Sequence, residues 1–167
     1  MKTILLAVQT VNGIFSVDRN SITSWSSKED KVYYKRITKE SGAVIMGRIT
    51  FETLKEPLRD RLNIVMTRNP EKYDSKGNVL FTDMSPKDLI SYLSDKGFGE
   101  VVISGGQTVN TLFLNSNLVD EIHLSIEPKI FYGKINMFSE NVREKSLTFE
   151  RCEKSGNNIF LIYEVKK

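Results

Sequence analysis

Short apolar runs rich in valine and isoleucine recur along this chain, and each is too short to form a typical helix. Such runs are typical of strands, and those without polar alternation indicate strands buried on both faces. The pattern predicts strands over residues 4–8, 43–46, 62–66, 79–81, 101–103, 122–126 and 160–165.

Stretches with helical start and stop signals separate these runs. We predict helices over residues 28–41, 51–55, 85–96 and 108–115. In the third of them Ser85 is the cap, Pro86 takes the first helical position and Gly97 ends the helix. Strands that alternate with helices predict an α/β fold, in which a central, mostly parallel sheet carries helices on both faces.

The C-terminal part has a different pattern. Residues 146–152 and 158–165 are strand-like, and the turn signal Lys154-Ser155-Gly156-Asn157 separates them. We expect an antiparallel pair that closes one edge of the sheet. Because the chain shows no repeat, low-complexity tract or linker, residues 1–167 are predicted to form a single domain.

Composition narrows the classes of function. A net charge of +3 is too small to indicate a nucleic-acid partner, although it would weakly favour polyanionic small ligands. The single cysteine, Cys152, and the single histidine, His123, cannot form an internal disulfide or a usual zinc site, so no metal is expected. We expect no membrane span or signal peptide, and a cytoplasmic protein is the default. A monomer and a homodimer are both compatible with the sequence.

The loop over residues 10–27 is long and polar, and it contains Gly13 and the only tryptophan, Trp25. Loops of this length in compact domains are usually functional or disordered. A large aromatic side chain in a polar loop favours a functional role, as a cover over a ligand.

Asp30 is the candidate for recognising a substrate. Ser26 and Glu29 fit a capping box at the start of the first helix, so Asp30 has an ordinary interpretation as a solvated first-turn acid. Its spacing supports a second interpretation, because Asp30, Tyr34 and Ile37 share one helix face, where a carboxylate needs a partner. A flat heterocycle with paired N–H groups would match its two oxygens.

Three segments that follow strands are candidates for phosphate binding. Gly47-Arg48-Ile49-Thr50 and Ser104-Gly105-Gly106-Gln107-Thr108 each lie between a strand and a helix, although neither has the full G-x-G-x-x-G pattern. Thr67-Arg68 follows a third strand, at the edge where open α/β sheets bind ligands. Ordinary tight turns and a surface arginine without function are the alternatives.

The order of these motifs resembles the dihydrofolate reductase family across nearly the whole chain. Trp25 and Asp30 keep the family's spacing between a loop tryptophan and the substrate acid. Three signatures of the family have counterparts here: Met46-Gly47-Arg48-Ile49-Thr50-Phe51-Glu52, Pro57-Leu58-Arg59-Asp60-Arg61-Leu62-Asn63-Ile64 and Ile103-Ser104-Gly105-Gly106.

The resemblance implies a three-layer dihydrofolate-reductase-like fold and hydride transfer from NADPH to C6 of 7,8-dihydrofolate, with protonation at N5 through water. It implies catalytic roles for Asp30, Trp25 and Ser125. The residues implied to bind dihydrofolate are Leu5, Asp30, Tyr34, Leu54, Arg61, Ile103 and Ser125, with Arg61 on the glutamate tail. The residues implied to bind NADPH are Ala7, Gly13, Gly47, Arg48, Thr50, Thr67, Arg68, Ser104, Gly105, Gly106, Gln107 and Thr108.

Several positions depart from the family. Ser104 replaces the first of three glycines at a turn with a cis peptide, which we expect between Ser104 and Gly105. Gln107 stands where arginine is common, and Val109 where tyrosine is common. The stretch Thr10-Val11-Asn12-Gly13 is more similar to riboflavin-pathway reductases. A reductase of a ribosylamino-pyrimidine or related pteridine is therefore the alternative activity, and a non-catalytic NADPH-binding module is the alternative of another class.

Overall fold

The structure is a computed structural model that describes residues 1–18 and 25–167. Its elements are β1 (Lys2–Thr10), α1 (Lys28–Ser41), β2 (Ala43–Gly47), α2 (Arg48–Glu52), β3 (Leu62–Met66), a 3₁₀ turn (Pro70–Lys72), β4 (Val79–Thr82), α3 (Pro86–Asp95), β5 (Glu100–Ile103), α4 (Gln107–Asn115), β6 (Glu121–Glu127), β7 (Leu147–Ser155) and β8 (Asn158–Val165).

These strands form one sheet in the order β4-β3-β2-β5-β1-β6-β8-β7. The strands from β4 to β6 in that order pair in parallel, whereas β8 runs antiparallel to β6, and β7 runs antiparallel to β8. The predicted α/β fold, with its mostly parallel sheet and its antiparallel C-terminal edge, is therefore confirmed. The parallel strands bring their carboxyl ends to one edge, where ligands of open α/β sheets bind.

The cap of α1 differs from the prediction. The Ser27 hydroxyl accepts a hydrogen bond from the Asp30 N–H at 3.1 Å, so the cap is Ser27 and not Ser26. Ser26 is buried beside the Asp30 carboxyl instead. The helix ends at Gly42, whose φ of 70° is a left-handed conformation that glycine adopts without strain.

Two helix starts also differ from the prediction. α2 begins at Arg48, directly after β2, and not over residues 51–55, because Gly47 is extended and the chain turns into the helix at once. α4 begins at Gln107, one residue before the predicted start, after an extended Gly106. β2 passes directly into α2 at Gly47, whereas residues 104–106 connect the end of β5 to the start of α4.

The sheet is covered on both faces by apolar side chains. Leu5 of β1 belongs to a cluster with α3 and α4, whereas its neighbours Ile4 and Leu6 belong to a cluster with Tyr33 and Ile37 of α1. Each fully buried aliphatic or aromatic side chain contributes about 1.5–3 kcal/mol. Among residues 1–18 and 25–167, no helix is long and apolar enough to cross a membrane.

Candidate active site

A cavity of about 1020 Å³ lies at the carboxyl ends of the parallel strands. It has two sides. The acid side is formed by Asp30 and Tyr34 of α1 and by Leu54, and the glycine side by Gly47, Thr50 and Gly106. Its lining combines apolar residues with many polar and charged ones, and a cleft of this size is typical of a site for small molecules.

Asp30 is 8% exposed and faces into this cavity. Burial raises the pKa of its carboxyl, because the charged form loses its water. The hydroxyls of Ser26 and Ser125 lower that pKa in part, the negative charge of Glu127 raises it, and Lys31 lowers it slightly, so the net shift is upward. The solvated first-turn interpretation of Asp30 is therefore wrong, since its side chain is nearly inaccessible to solvent.

Ser125 supports Asp30 from β6. It is 1% exposed, and its hydroxyl is close enough to lower the pKa of Asp30. That hydroxyl nevertheless completes no hydrogen bond of normal geometry with any residue in the described part of the chain. Buried polar atoms normally have partners, so the Ser125 hydroxyl retains the capacity to bind a ligand atom or a water molecule beside Asp30.

Tyr34 lies one helical turn beyond Asp30. Its hydroxyl shares a hydrogen bond of 2.8 Å with the hydroxyl of Ser104, across the cavity wall. Burial raises the pKa of the Tyr34 phenol, so it stays protonated. Two hydroxyls in one bond use only one of their two hydrogens on each other, which leaves one donor free for a ligand.

Arg61 lies outside the residues that line the cavity. It is 7% exposed, and its Nε donates to the Arg59 carbonyl at 2.9 Å, while Nη1 donates to the Thr38 hydroxyl. Burial lowers the pKa of its guanidinium. It makes no ion pair with the described residues, so the structure holds a largely buried cation without a carboxylate.

The glycine side is built from two strand–helix junctions that touch each other. The Gly47 N–H donates to the Gly105 carbonyl at 2.8 Å, and the cis peptide lies between Gly105 and Gly106. The expected position of the cis bond, Ser104–Gly105, is therefore wrong by one residue. Ser104, which precedes the two glycines, lines the cavity. Ile103, the residue before it, is fully buried in the core.

Both junctions suit an anionic ligand. No side chain among residues 1–18 and 25–167 caps the first N–H groups of α2 or α4, so these donors have no side-chain partner in that part of the chain. A Cβ atom on Gly106 would stand 3.2 Å from the Thr50 hydroxyl, and one on Gly47 would stand 3.3 Å from Val109. Glycine at both positions thus permits a close approach of backbone N–H groups, and the residues present fit the phosphates of a dinucleotide.

The sequence profile of the family described as "Dihydrofolate reductase" matches residues 3–164. The chain belongs to the dihydrofolate reductase family. A Caenorhabditis elegans protein provisionally named a dihydrofolate reductase is 30% identical over 167 aligned positions, which cover 92% of this chain and 82% of that protein.

Solved structures show the same fold. Dihydrofolate reductase from Enterococcus faecalis, complexed with NADP(H) and RAB-propyl, has a TM-score of 0.75 at 22% identity, over 99% of this chain and 97% of the other. A Shewanella protein provisionally named for riboflavin biosynthesis has a TM-score of 0.82 at 20% identity, with both chains fully covered. Proteins with folate-related and riboflavin-related names therefore share this fold.

Most residues that the family resemblance singles out on the glycine side do line the cavity. They are Ala7, Gly47, Arg48, Thr50, Thr67, Arg68, Ser104, Gly106, Gln107 and Thr108. Several of these side chains already have partners, among them Ser104, whose hydroxyl bonds that of Tyr34. Arg48 donates to both carboxylate oxygens of Glu52 at 2.7 and 2.6 Å, and the Gln107 amide donates to the Phe138 carbonyl at 2.9 Å. Arg68 is exposed and makes no ion pair with a described residue.

Other expected site residues do not reach the cavity. Leu5 and Ile103 are 0% exposed in the core, so neither side chain is available to a ligand, and Leu6 lines the cavity in place of Leu5 because side chains alternate along β1. Gly13, Gly105 and Ser125 are also outside the lining. Sequence reasoning missed several lining residues: Lys31, Thr53, Asp83, Met84, Ser85, Pro86 and Leu112.

Trp25 stands at the end of the early loop, of which residues 19–24 lie outside the described chain. Its ring meets Phe131 edge to face, with centroids 5.2 Å apart, and its carbonyl accepts from Lys129 Nζ. The indole Nε1 is buried and has no partner among the described residues. Trp25 is therefore fixed by the chain that follows β6, and it is not among the cavity-lining residues.

His123, a side chain of β6, does not line the cavity. Its Nδ1 bonds the Tyr33 hydroxyl and its Nε2 bonds Glu121, both at 3.0 Å, and burial lowers the pKa of the imidazole. Among the residues described, no group of three or more His, Cys, Asp or Glu is arranged to hold a metal ion.

Proposed function

We propose that this protein reduces 7,8-dihydrofolate to 5,6,7,8-tetrahydrofolate with NADPH. The observation that carries the proposal is the buried Asp30 carboxyl in the same cavity as the free N–H groups of α4. One side can hold a flat nitrogen heterocycle, and the other can hold the phosphates of a dinucleotide. Membership of a family of reductases supports this division.

On the acid side, Asp30 accepts hydrogen bonds from the 2-amino group and the ring N–H of the pterin. The raised pKa of its carboxyl favours sharing a proton with the bound ring, and Ser125 supplies a further hydroxyl there. Asp30 thereby stabilises positive charge on the pterin, while water delivers the proton to N5. Tyr34 and Leu54 line the place of the benzoyl group, and Trp25 limits access of solvent.

On the glycine side, NADPH would supply the hydride that reaches C6 of the pterin. The N–H groups at the start of α4, with Thr50 and Arg48, bind the diphosphate. Thr67 and Arg68 bind the 2′-phosphate, since both line the cavity and Arg68 has no carboxylate partner among the described residues. The Enterococcus faecalis enzyme, whose structure contains NADP(H), supports a nicotinamide cofactor in a fold of this shape.

A second activity deserves a test because of the Tyr34–Ser104 hydroxyl pair. Lys31 and Thr53 also line the cavity, so its lining carries several further hydrogen-bonding groups besides Asp30. A hydroxylated or phosphorylated sugar tail would use these groups better than an aromatic ring would. The alternative substrate is therefore a ribosylamino-pyrimidine, in keeping with the riboflavin-related name of the Shewanella protein.

The deciding experiment follows NADPH absorbance with the purified protein. Dihydrofolate and a ribosylamino-pyrimidine phosphate are offered separately at equal concentrations. We expect turnover of dihydrofolate and a much lower kcat/KM for the pyrimidine. Turnover of the pyrimidine alone would favour the second activity, and NADPH binding without turnover of either would indicate a non-catalytic module.

Arg61 separates the two substrates further. We infer that its guanidinium, which has no carboxylate partner among the described residues, binds the α-carboxylate of the glutamate tail. Because Arg61 lies outside the cavity lining, the tail would have to extend beyond the cavity to reach it. Arg61→Lys keeps the charge but loses the fork of donors, so we expect a higher KM for dihydrofolate and little change for a pterin without the tail. Equal increases for both would contradict the tail contact.

A further inference from the structure

Glu127 is the most thoroughly buried carboxylate near the cavity. It is the last residue of β6, is paired with Thr10 at the end of β1, and is 1% exposed. An ionised group so far from water is costly unless it is hydrogen-bonded. It does not line the cavity, and nothing in the proposed chemistry uses it.

Two donors meet one oxygen of Glu127. The Ser27 N–H and the Asn158 amide both donate to Oε1 at 2.7 Å. The same amide of Asn158 also donates to the Ser27 hydroxyl at 2.9 Å, and that hydroxyl accepts from the Asp30 N–H. An unbroken chain of hydrogen bonds therefore runs from Glu127 to the backbone of Asp30.

The chain links three separate elements. Glu127 ends β6, Asn158 begins β8, and Ser27 caps α1. A carboxylate at a helix N-terminus is stabilised by the free N–H groups and by the helix dipole. Because Asp30 lies in the first turn of α1, whatever fixes this cap also fixes the acid that faces the cavity.

Glu127 also acts on Asp30 through charge. Its negative charge raises the pKa of the Asp30 carboxyl, in the same direction as burial does. The other groups facing Asp30 are the hydroxyls of Ser26 and Ser125 and the ammonium of Lys31, and all three lower its pKa. The Tyr34 phenol is nearby and stays neutral.

We propose that Glu127 is a positioning residue of the active site, which anchors the helix carrying Asp30 and keeps a second negative charge beside that carboxyl. This inference rests on the role of Asp30 in the proposed function, but its first test does not depend on the substrate. Asn158, at the start of β8 in the antiparallel edge of the sheet, helps to anchor α1 because its amide bonds both Glu127 and Ser27.

The test is Glu127→Gln, which keeps the shape and the acceptor oxygen but removes the charge. The titration midpoint of the Asp30 carboxyl is measured by carbon-13 NMR on the free protein, with Asp30→Asn identifying the signal. We expect the midpoint to fall in Glu127→Gln, because a like charge has been removed. The pH profile of kcat/KM with NADPH and dihydrofolate should move in the same direction.

Glu164→Gln is the matched control, since Glu164 is an exposed acid on β8 and its loss changes the net charge equally. An Asp30 midpoint that is the same in wild type, Glu127→Gln and Glu164→Gln would overturn the proposal. A shifted midpoint without turnover of any pterin would uphold the positioning role and reject the proposed function.

Glu127→Asp provides a second test if the glutamine variant does not fold. It keeps the charge but is one methylene shorter, so it cannot reach the Ser27 N–H in the same geometry. We expect hydrogen exchange of the Ser27 amide to accelerate by about tenfold, the equivalent of one charged hydrogen bond. Unchanged exchange at Ser27 would contradict the anchoring of α1 by Glu127.

Discussion

The two sides of the cavity are built by different means. The glycine side offers backbone N–H groups at two helix starts, and its closest contacts depend on the absence of side chains at Gly47 and Gly106. The acid side offers side chains, and its central group, Asp30, is a nearly buried carboxyl surrounded by Ser26, Ser125 and Glu127.

This difference has a physical consequence. Backbone donors have no pKa in the working range, so the glycine side should bind its ligand almost independently of pH except for the ligand's own charge. The acid side depends on one proton, whose affinity is set by burial and by neighbouring charges. Substitutions should therefore separate into those that change affinity for the dinucleotide and those that change chemistry and pH dependence.

The largest effect is expected for Asp30→Asn. An amide cannot accept both N–H groups of the pterin or hold its positive charge, so kcat/KM for dihydrofolate at pH 7 should fall by about 100-fold or more. The affinity for NADPH, measured by fluorescence titration, should stay within about twofold. Asp95→Asn, an exposed acid on α3, is the control. Unchanged turnover in Asp30→Asn would remove the acid side from the mechanism.

The next effect is expected for Gly106→Ala, which tests the glycine side. The new methyl group would stand 3.2 Å from the Thr50 hydroxyl, so either Thr50 or the turn must shift. Overpacking of this kind costs about 1–3 kcal/mol, and we expect the Kd for NADPH to rise by about tenfold. Gly99→Ala is the matched control, because nothing lies within 4 Å of a Cβ there. An equal loss of affinity for dihydrofolate, measured in the absence of NADPH, would mean that the two sides are not separate.

The same contrast explains what the sequence could predict. The glycine side is encoded in short segments, such as Gly47-Arg48-Ile49-Thr50, whose strand, turn and helix are consecutive. Local patterns therefore identified most of the residues that line this side, although Gly105 lies outside the lining. Gly13, which only the family resemblance implied, is also outside it. The position of the cis bond was wrong by one residue, because the pattern of small residues fixes the turn but not its register against β2.

The acid side is assembled from residues far apart in the chain. Asp30 and Tyr34 could be found because they share a helix face, but Ser104 approaches Tyr34 from β5, and Glu127 and Asn158 approach the cap of α1 from β6 and β8. No local sequence pattern predicts these long-range contacts, since they depend on the order of the strands in the sheet. The prediction that Leu5 and Ile103 bind substrate failed for a simpler reason. Side chains alternate between the two faces of a strand, and at these two positions they point into the core.

A smaller effect is expected at the far end of the glycine side, at Arg68. Its guanidinium is exposed, so the contact with a 2′-phosphate is partly screened by water and salt. Arg68→Ala should reduce the preference for NADPH over NADH by about fivefold, without changing kcat at saturating NADPH. Arg59→Ala, which removes an exposed arginine paired with Glu56, is the control. An unaltered ratio would assign the 2′-phosphate to Arg48 instead.

The smallest effect, on stability, is the sharpest test of the acid side. The pKa of Asp30 is raised in the folded protein, so between its ordinary value and the raised one the folded state binds the proton that the unfolded state has lost. The stability contributed by the protonated carboxyl is therefore present at low pH and is lost as the pH rises through this window. Asp30→Asn removes the buried charge, so its Tm at pH 7 should exceed that of wild type.

Asp120→Asn should behave in the opposite way. Burial acts to raise the pKa of the Asp120 carboxyl, but hydrogen bonds from Lys167 and Thr3 together outweigh it and lower the pKa. The contribution of Asp120 to stability is therefore present at neutral pH and is lost as the pH falls. In a chain of this size each kcal/mol shifts Tm by about 2–4 °C, so differential scanning fluorimetry from pH 4 to pH 8 can resolve both trends. We expect the Tm difference from wild type to grow with pH in both variants, positive for Asp30→Asn and negative for Asp120→Asn. A negative difference for Asp30→Asn at pH 7 would mean that its carboxylate is satisfied without a ligand, and the contrast between the two sides would then lose its physical basis.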